Sequence, residues 1–357
     1  MPSCRALFVT LAILATTAAA LAQSRPIKVL VLYDMEGVSG ATEYGHTTFA
    51  HPEPYSAARK ALTADVNAAI AGLKAGGATE IVVVDGHGSG NASEPDVHEK
   101  ELLAPARMIA RDRAFDIYMN SYDQSFDAIV AVAMHAGAGN RTGFLSHTYT
   151  FEDIEYKVNG VPFNETMILA MGAARLRIPL IMVSGDDQLE KEVRRNLPWV
   201  KHATVKHAVS RAAAEAFRPD DVAKRIEAAA REAIQQLDAA KLPDLAGPFR
   251  FALTFQDEAQ AQVAALLPGA EVLANPAVVQ IRAHDFEEGY RQSLRLISLA
   301  GLAARSTANQ RVLAAQPQAA ALRVAVTDWL YARWLDQLPA GAAQPAAAAP
   351  TRFWGAR

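Results

Sequence analysis

The chain has 357 residues, 51% hydrophobic and 20% charged, a globular composition that excludes a disordered protein and leaves room for one large or two ordinary domains. Its formal charge of −3 gives no sign of nucleic acid or an anionic membrane surface as a partner. The only cysteine, Cys4, excludes an intrachain disulfide.

Residues 1–22 read as an export signal: Arg5 in the basic leader, an apolar alanine-rich run from Ala6 to Leu21, and Ala20-Leu21-Ala22 as a small-x-small cleavage site before Gln23. A mature protein starting near Gln23 is expected to be periplasmic or secreted, without a membrane anchor. It would hold no thiol, so cysteine-ligated zinc and cysteine nucleophiles drop out. Losing Arg5 takes the formal charge from −3 to −4.

Ile27 to Gly40, IKVLVLYDMEGVSG, is an aliphatic run of the kind buried on both faces of a sheet, ending abruptly in Asp34 and Glu36. Helical spacing of Ala58, Leu62, Val66, Ala69, Ile70 and Leu73 predicts a helix over 56–75, closed by Gly76-Gly77. Glu80 to Gly90 repeats the first design, an aliphatic strand followed by Asp85, His87 and a glycine-rich turn. Two such strands joined by a helix make a βαβ unit and hence a parallel sheet. A third copy, Phe126 to Gly139, leads into His135, and a fourth, Ile178 to Asp187, ends in Gly185-Asp186-Asp187.

Between these last two lie Ser146-His147 and an alternating segment, Ile154 to Val158, that turns at Asn159-Gly160, a strong hairpin signal. Asn164-Glu165 then opens an almost wholly apolar helix running to Leu176. A short strand is predicted at 201–209 and an amphipathic helix over 219–237. From Pro248 the pattern becomes strand, helix, strand, helix (249–255, 258–267, 277–283, 285–304). A final helix over 313–338 is expected to pack Trp329 and Trp334 against the body, before an Ala/Pro-rich disordered tail, 339–357. The predicted fold is α/β, a mostly parallel central sheet flanked by helices with a smaller C-terminal α/β portion. Residues 23–247 form the catalytic region and 248–338 the smaller portion with the last helix.

Polar residues thus collect beyond the ends of several core strands, where ligands bind in open α/β sheets. Asp34, Glu36, His87, His135 and Glu165 are the candidate metal ligands, with His147 nearby. Imidazoles and carboxylates without thiols suit zinc or similar divalent ions, and five ligands exceed what one catalytic zinc takes from protein. Two ions sharing a bridging carboxylate match the count. Taken alone, the residues read more readily as strand ends carrying solvated acids and a capping glutamate at the start of a buried helix.

The segments Asp34-Met35-Glu36-Gly37-Val38-Ser39-Gly40, Asp85-Gly86-His87, His135-Ala136, Ser146-His147, Asn159 to Glu165 and Val183 to Asp187 resemble the D-aminopeptidase family, metallopeptidase family M55. Val205-Lys206, Ser210-Arg211 and Leu267-Pro268-Gly269 extend the likeness, which covers 27–304. The resemblance implies an aminopeptidase with two divalent ions per subunit, Zn2+, acting on short peptides and assembled as a ring-like homo-oligomer. It places Asp34, Glu36, His87, His135 and Glu165 as metal ligands, Asp34 as the bridge and His147 as the catalytic histidine.

Asp85 and Asp186 are expected to orient imidazoles or the next helix turn. His46, His51, His98, His202, His207 and His284 read as surface or structural. Asn164 stands where a glycine is expected, and Arg141 is the only basic residue the sequence places near the ligands. A non-enzymatic periplasmic binding protein, or a two-metal hydrolase of another amide or ester, remain the alternatives.

Overall fold

The computed structural model describes residues 26–110 and 117–338; the segment that reads as an export signal and the Ala/Pro-rich tail lie outside the described residues. In β1 (Lys28–Tyr33), Leu30 and Leu32 face one apolar core while Val29, Val31 and Tyr33 face another. Such two-sided burial is what a continuous aliphatic run encodes. The chain then forms α1 (Pro52–Ala75), β2 (Glu80–Asp85), β3 (Ala106–Ile109), the short α2 (Ile117–Asn120) and β4 (Ala128–Met134). β5 (Asp153–Val158), β6 (Val161–Pro162), α3 (Glu165–Ala174), β7 (Leu180–Asp186), α4 (Asp187–Asn196), β8 (Lys201–Ser210), β9 (Ala213–Ala216) and α5 (Pro219–Gln235) follow. β10 (Phe249–Phe255), α6 (Glu258–Ala264), β11 (Glu271–Val272), β12 (Val278–Ala283), α7 (Phe286–Ala314) and α8 (Ala319–Trp334) complete it.

Seven strands form the main sheet in the order β3-β2-β1-β4-β7-β8-β9, parallel except for β9. From β1 the chain builds outward through β2 and β3, then returns to place β4 on the other side. The carboxyl ends of β1 and β4 therefore flank the switch point, where such sheets open a crevice. On one face, Leu62, Val66 and Leu73 of α1 and Val222, Ile226 and Ile234 of α5 close the core. On the other, α3, α4 and the second sheet do so.

That second sheet has five strands, β11-β12-β10-β5-β6, all antiparallel. The hairpin predicted at Asn159-Gly160 belongs to it, both residues taking the positive φ that a two-residue hairpin turn demands (50° and 83°). The smaller α/β portion is thus completed by strands from before α3, Tyr156 pairing Leu253. The sequence pattern identifies β5 as a hairpin arm without revealing this partner.

The C-terminal expectation is corrected. Residues 285–304 and 313–338 do not form two helices with those limits: α7 runs on to Ala314, and α8 begins at Ala319. Trp329 and Trp334 do not pack against the body, being 43% and 75% exposed. At ~1.5 Å per residue α7 is about 43 Å long, and its last buried residue is Gly301. Its final turns carry the chain off the body before α8 starts, and no residue of α8 is buried. Among the described residues no helix is long and apolar enough to cross a membrane.

Candidate metal centre

The six residues singled out from the sequence converge. Asp34 and Glu36 leave β1, His87 follows β2, His135 follows β4, and Glu165 is the first residue of α3. His147 comes from the loop between β4 and β5. Their side chains form two groups, Asp34-Glu36-His87 and His135-His147-Glu165, each offering ligand atoms within 4.8 Å of one another. Asp34 also stands between the groups, its Oδ2 lying 3.3 Å from His135 Nε2. No other histidine joins a group of this kind among the described residues.

Local backbone features explain the convergence. Ala133 takes a left-handed φ of 62° where β4 loses register with β7, and its N–H donates to Ser184 Oγ at 2.9 Å. Such an irregularity re-aims the following side chain, here His135. The loop after β1 is pinned to the same place by Asp34 N–H to Val132 O and Gly37 N–H to Ala133 O, at 2.9 and 2.8 Å. A Cβ at Gly37 would lie 2.0 Å from the Met134 carbonyl oxygen, and one at Gly185 2.2 Å from the same atom. Only glycine admits that approach from either side.

Lys206, wholly buried, donates from Nζ to the carbonyls of Glu36, Val38 and Ala41 and so fastens the far side of this loop. Arg211 holds the His147 loop through Ser146 O at 2.9 Å, while Leu145 N–H donates to Arg211 O. Asn164 Oδ1 caps α3 by accepting from Met167 N–H at 2.8 Å, a bond worth ~1 kcal/mol. Its Nδ2 reaches Glu192, which also accepts from Gly137 N–H and Asn140 Nδ2. The asparagine thus ties the start of α3 to the loop after His135, a task glycine could not perform.

Each imidazole is oriented through Nδ1. His87 Nδ1 meets Asp96 Oδ2 at 2.9 Å, His135 Nδ1 meets Ala136 O at 2.9 Å, and His147 Nδ1 meets Leu145 O at 2.7 Å. Oxygens that only accept place the proton on Nδ1 and leave Nε2 as a lone pair facing the site. Asp96 is a residue the sequence did not single out. It lies nine positions after His87 in an irregular loop, and nothing in that spacing signals the contact. Asp85 holds the turn instead, accepting from His87 N–H and Asp96 N–H, and Asp186 caps α4 by accepting from Gln188 and Leu189 N–H.

The electrostatics are those of a crowded, buried cluster; Asp34, Glu36, His135 and Glu165 are 6% exposed or less. Burial, then the Glu36 charge, pushes Asp34 up to about 7. Burial also works to raise Glu165, but His135 outweighs it and pulls the group down to about 2. Glu36 is likewise held low by His87 against burial, and His87 and His135 are raised by their carboxylates against the same penalty. Burial and the stacked His135 ring, 4.1 Å away, lower His147.

A divalent ion suits this arrangement. Glu36 Oε2 and His135 Nε2 are buried with no hydrogen-bond partner among the described residues. The Nε2 to carboxylate separations are 3.4 Å for His87 to Glu36, 3.3 and 3.6 Å for His135 to Asp34 and Glu165, and 3.7 Å for His147 to Glu165. Most are long for hydrogen bonds. Two ligands ~2.0–2.1 Å from a tetrahedral zinc stand ~3.3–3.4 Å apart. The donor set, imidazole nitrogen and carboxylate oxygen, is the one zinc takes when thiolates are absent.

Above these groups a cavity of about 260 Å³ opens, walled also by Tyr44, Tyr118, Phe151, Glu152 and Arg305. Arg141, expected nearby, does not line it; among the described residues the arginine in its wall is Arg305. Tyr118 donates to Glu165 Oε2, and Tyr149 N–H donates to its Oε1 at 2.5 Å.

Residues 27–294 match the family model described as Peptidase_M55, D-aminopeptidase. The D-aminopeptidase of Bacillus subtilis (strain 168) is 29% identical over 278 residues, 77% of this chain and 98% of that protein. The solved structure of the Zn-dependent D-aminopeptidase DppA from Bacillus subtilis, described as a self-compartmentalizing protease, superposes with a TM-score of 0.69 at 28% identity, covering 77% of this chain and 98% of that one. With three quarters of its length matched and its buried carboxylates and imidazoles gathered at the sheet's switch point, this chain belongs to the D-aminopeptidase family of metallopeptidases, M55.

Proposed function

We propose that the protein is a two-zinc aminopeptidase that removes N-terminal residues, D-amino acids among them, from short peptides. The observation that carries this reading is the pair of adjoining groups, Asp34-Glu36-His87 and His135-His147-Glu165, under one small cavity. Asp34, Glu36, His87, His135 and Glu165 would hold the ions, with Asp34, placed between the groups, as the bridge. When bound, such a metal pair would supply Lewis-acid polarisation of a carbonyl and would lower the pKa of a water towards about 7, readying it as the nucleophile.

The chain's own residues supply orientation and proton transfer. Asp96 and the Ala136 carbonyl hold the His87 and His135 rings with Nε2 towards the site. Tyr118 and the Tyr149 amide fix both Glu165 oxygens. His147 keeps its Nδ1 proton on the Leu145 carbonyl, so its Nε2 is free to take a proton and pass it to the leaving amine. Its lowered pKa keeps it a neutral base near pH 7. Homo-oligomeric assembly is part of the proposal, on the strength of the self-compartmentalizing relative.

Metal analysis of the purified protein, with light scattering for its native mass and a panel of L-Xaa and D-Xaa dipeptides assayed with and without chelator, tests this. About two zinc ions per subunit, loss of hydrolysis on chelation and loss in Asp34→Ala are expected. Metal-free protein that still cleaves, or undiminished activity in Asp34→Ala, sinks the reading. Ligand binding without hydrolysis returns the protein to the binding-module class.

A further inference from the structure

Among the described residues Arg305 is the only lysine or arginine in the wall of the cavity, against four carboxylates, those of Asp34, Glu36, Glu152 and Glu165. Three of these belong to the metal groups, so once divalent ions neutralise the floor, Glu152 and Arg305 are the remaining acid and base among the described lining residues. Arg305 stands on α7, beyond the 27–294 stretch that the family model matches, and one helical turn after Gly301. A Cβ at Gly301 would lie 3.1 Å from Glu152 Oε1 and 3.4 Å from the Arg305 guanidinium, so the missing side chain lets both charges converge on one patch of helix. Their fields interact, Arg305 working to lower Glu152, yet they do not close into an ion pair. Arg305 has no salt-bridge partner among the described residues, so none of them engages its forked donors.

A guanidinium of this kind matches a carboxylate with two parallel hydrogen bonds. In a short peptide whose amine and scissile carbonyl are engaged at the floor, the group left near the mouth is its own C-terminal carboxylate. The cavity, about 260 Å³, is smaller than the ~300–1,000 Å³ clefts that enclose drug-sized ligands, and so suits a compact substrate. Resting on the aminopeptidase reading, we infer that Arg305 is a specificity-determining residue that binds the C-terminal carboxylate of short peptide substrates. The enzyme would then measure the peptide between its metals and this cation, favouring dipeptides with a free carboxylate. The selectivity would come from a helix turn outside the family-matched region.

The test compares alanyl-glycine with alanyl-glycinamide, in the alanine enantiomer the zinc-loaded protein cleaves, for wild type, Arg305→Ala and Arg305→Lys. Wild type is expected to prefer the free acid. Arg305→Ala should raise KM for the acid about tenfold to hundredfold, the worth of a charged hydrogen bond, with kcat and amide hydrolysis within about twofold of wild type, and Arg305→Lys should fall between. Equal effects on acid and amide, or no effect on either, overturn the inference while leaving the peptidase standing. If wild type cleaves neither compound, nor any other dipeptide, the peptidase reading falls and this inference with it.

Discussion

Asp96 acts on the site without touching it from the cavity side. Its Oδ2 accepts a hydrogen bond from His87 Nδ1, its backbone N–H is held by Asp85, and Tyr55 donates to its Oδ1 at 2.5 Å. A carboxylate in this position both fixes the tautomer and makes the facing nitrogen a better ligand. Asp96→Asn is therefore expected to weaken zinc binding by about 10–100-fold, read by competition with a chromophoric chelator. Unchanged affinity in a variant with a native circular-dichroism spectrum would remove Asp96 from this role. Lys206 is the counterpart on the other side of the site. Burial depresses its pKa to about 7, and three carbonyls surround the amine in compensation. Asp34, Glu36, His87 and His135 stood out in the sequence as candidates because each lies within three residues of the end of an aliphatic strand. Asp96 and the acceptors around Lys206 were not, since irregular loops and separations of 165 residues or more leave no local pattern.

Elements followed the same division. β1, β2, β4 and β7 each contain a continuous apolar run and read as buried strands at once. β3, of four residues including Arg107, and β11, of two, lie at sheet edges where no such run is needed. The pairing of β5 with β10 joins segments nearly a hundred residues apart and could not be seen from either alone. α8 shows the opposite failure, since its apolar residues predict packing that the subunit does not provide. Leu330, Tyr331 and Trp334 are all more than half exposed. Within one subunit α8 therefore contributes little to stability. A chain ending at Gln318 is expected to melt within about 2 °C of the full chain, the scale of a surface change in a domain of this size. Scanning calorimetry checks this, and a fall beyond about 5 °C would mean that α8 buries surface in the native protein.

At the scale of the molecule, the chain leaves the main sheet at Met134 and does not rejoin it until Leu180, having laid β5 and β6 into the second sheet on the way. His135 stands at the exit from the main sheet, and Glu165 at the start of the helix that leads back. The group His135-His147-Glu165 therefore closes a circuit of chain that spans both sheets, whereas Asp34-Glu36-His87 joins the ends of strands already adjacent. On the proposed function, an ion in the first of these would be a clasp as well as a reagent. Chelation is expected to speed amide exchange across 135–165 while 28–33 and 80–85 stay protected inside their double-sided core; uniform exchange along the chain would count against it. By linkage, saturation at ~100 times the dissociation constant adds about 2.7 kcal/mol that the stripped protein lacks. Zinc supply would then govern the lifetime of the polypeptide together with its turnover, and a starved subunit would open first along the path between its two sheets.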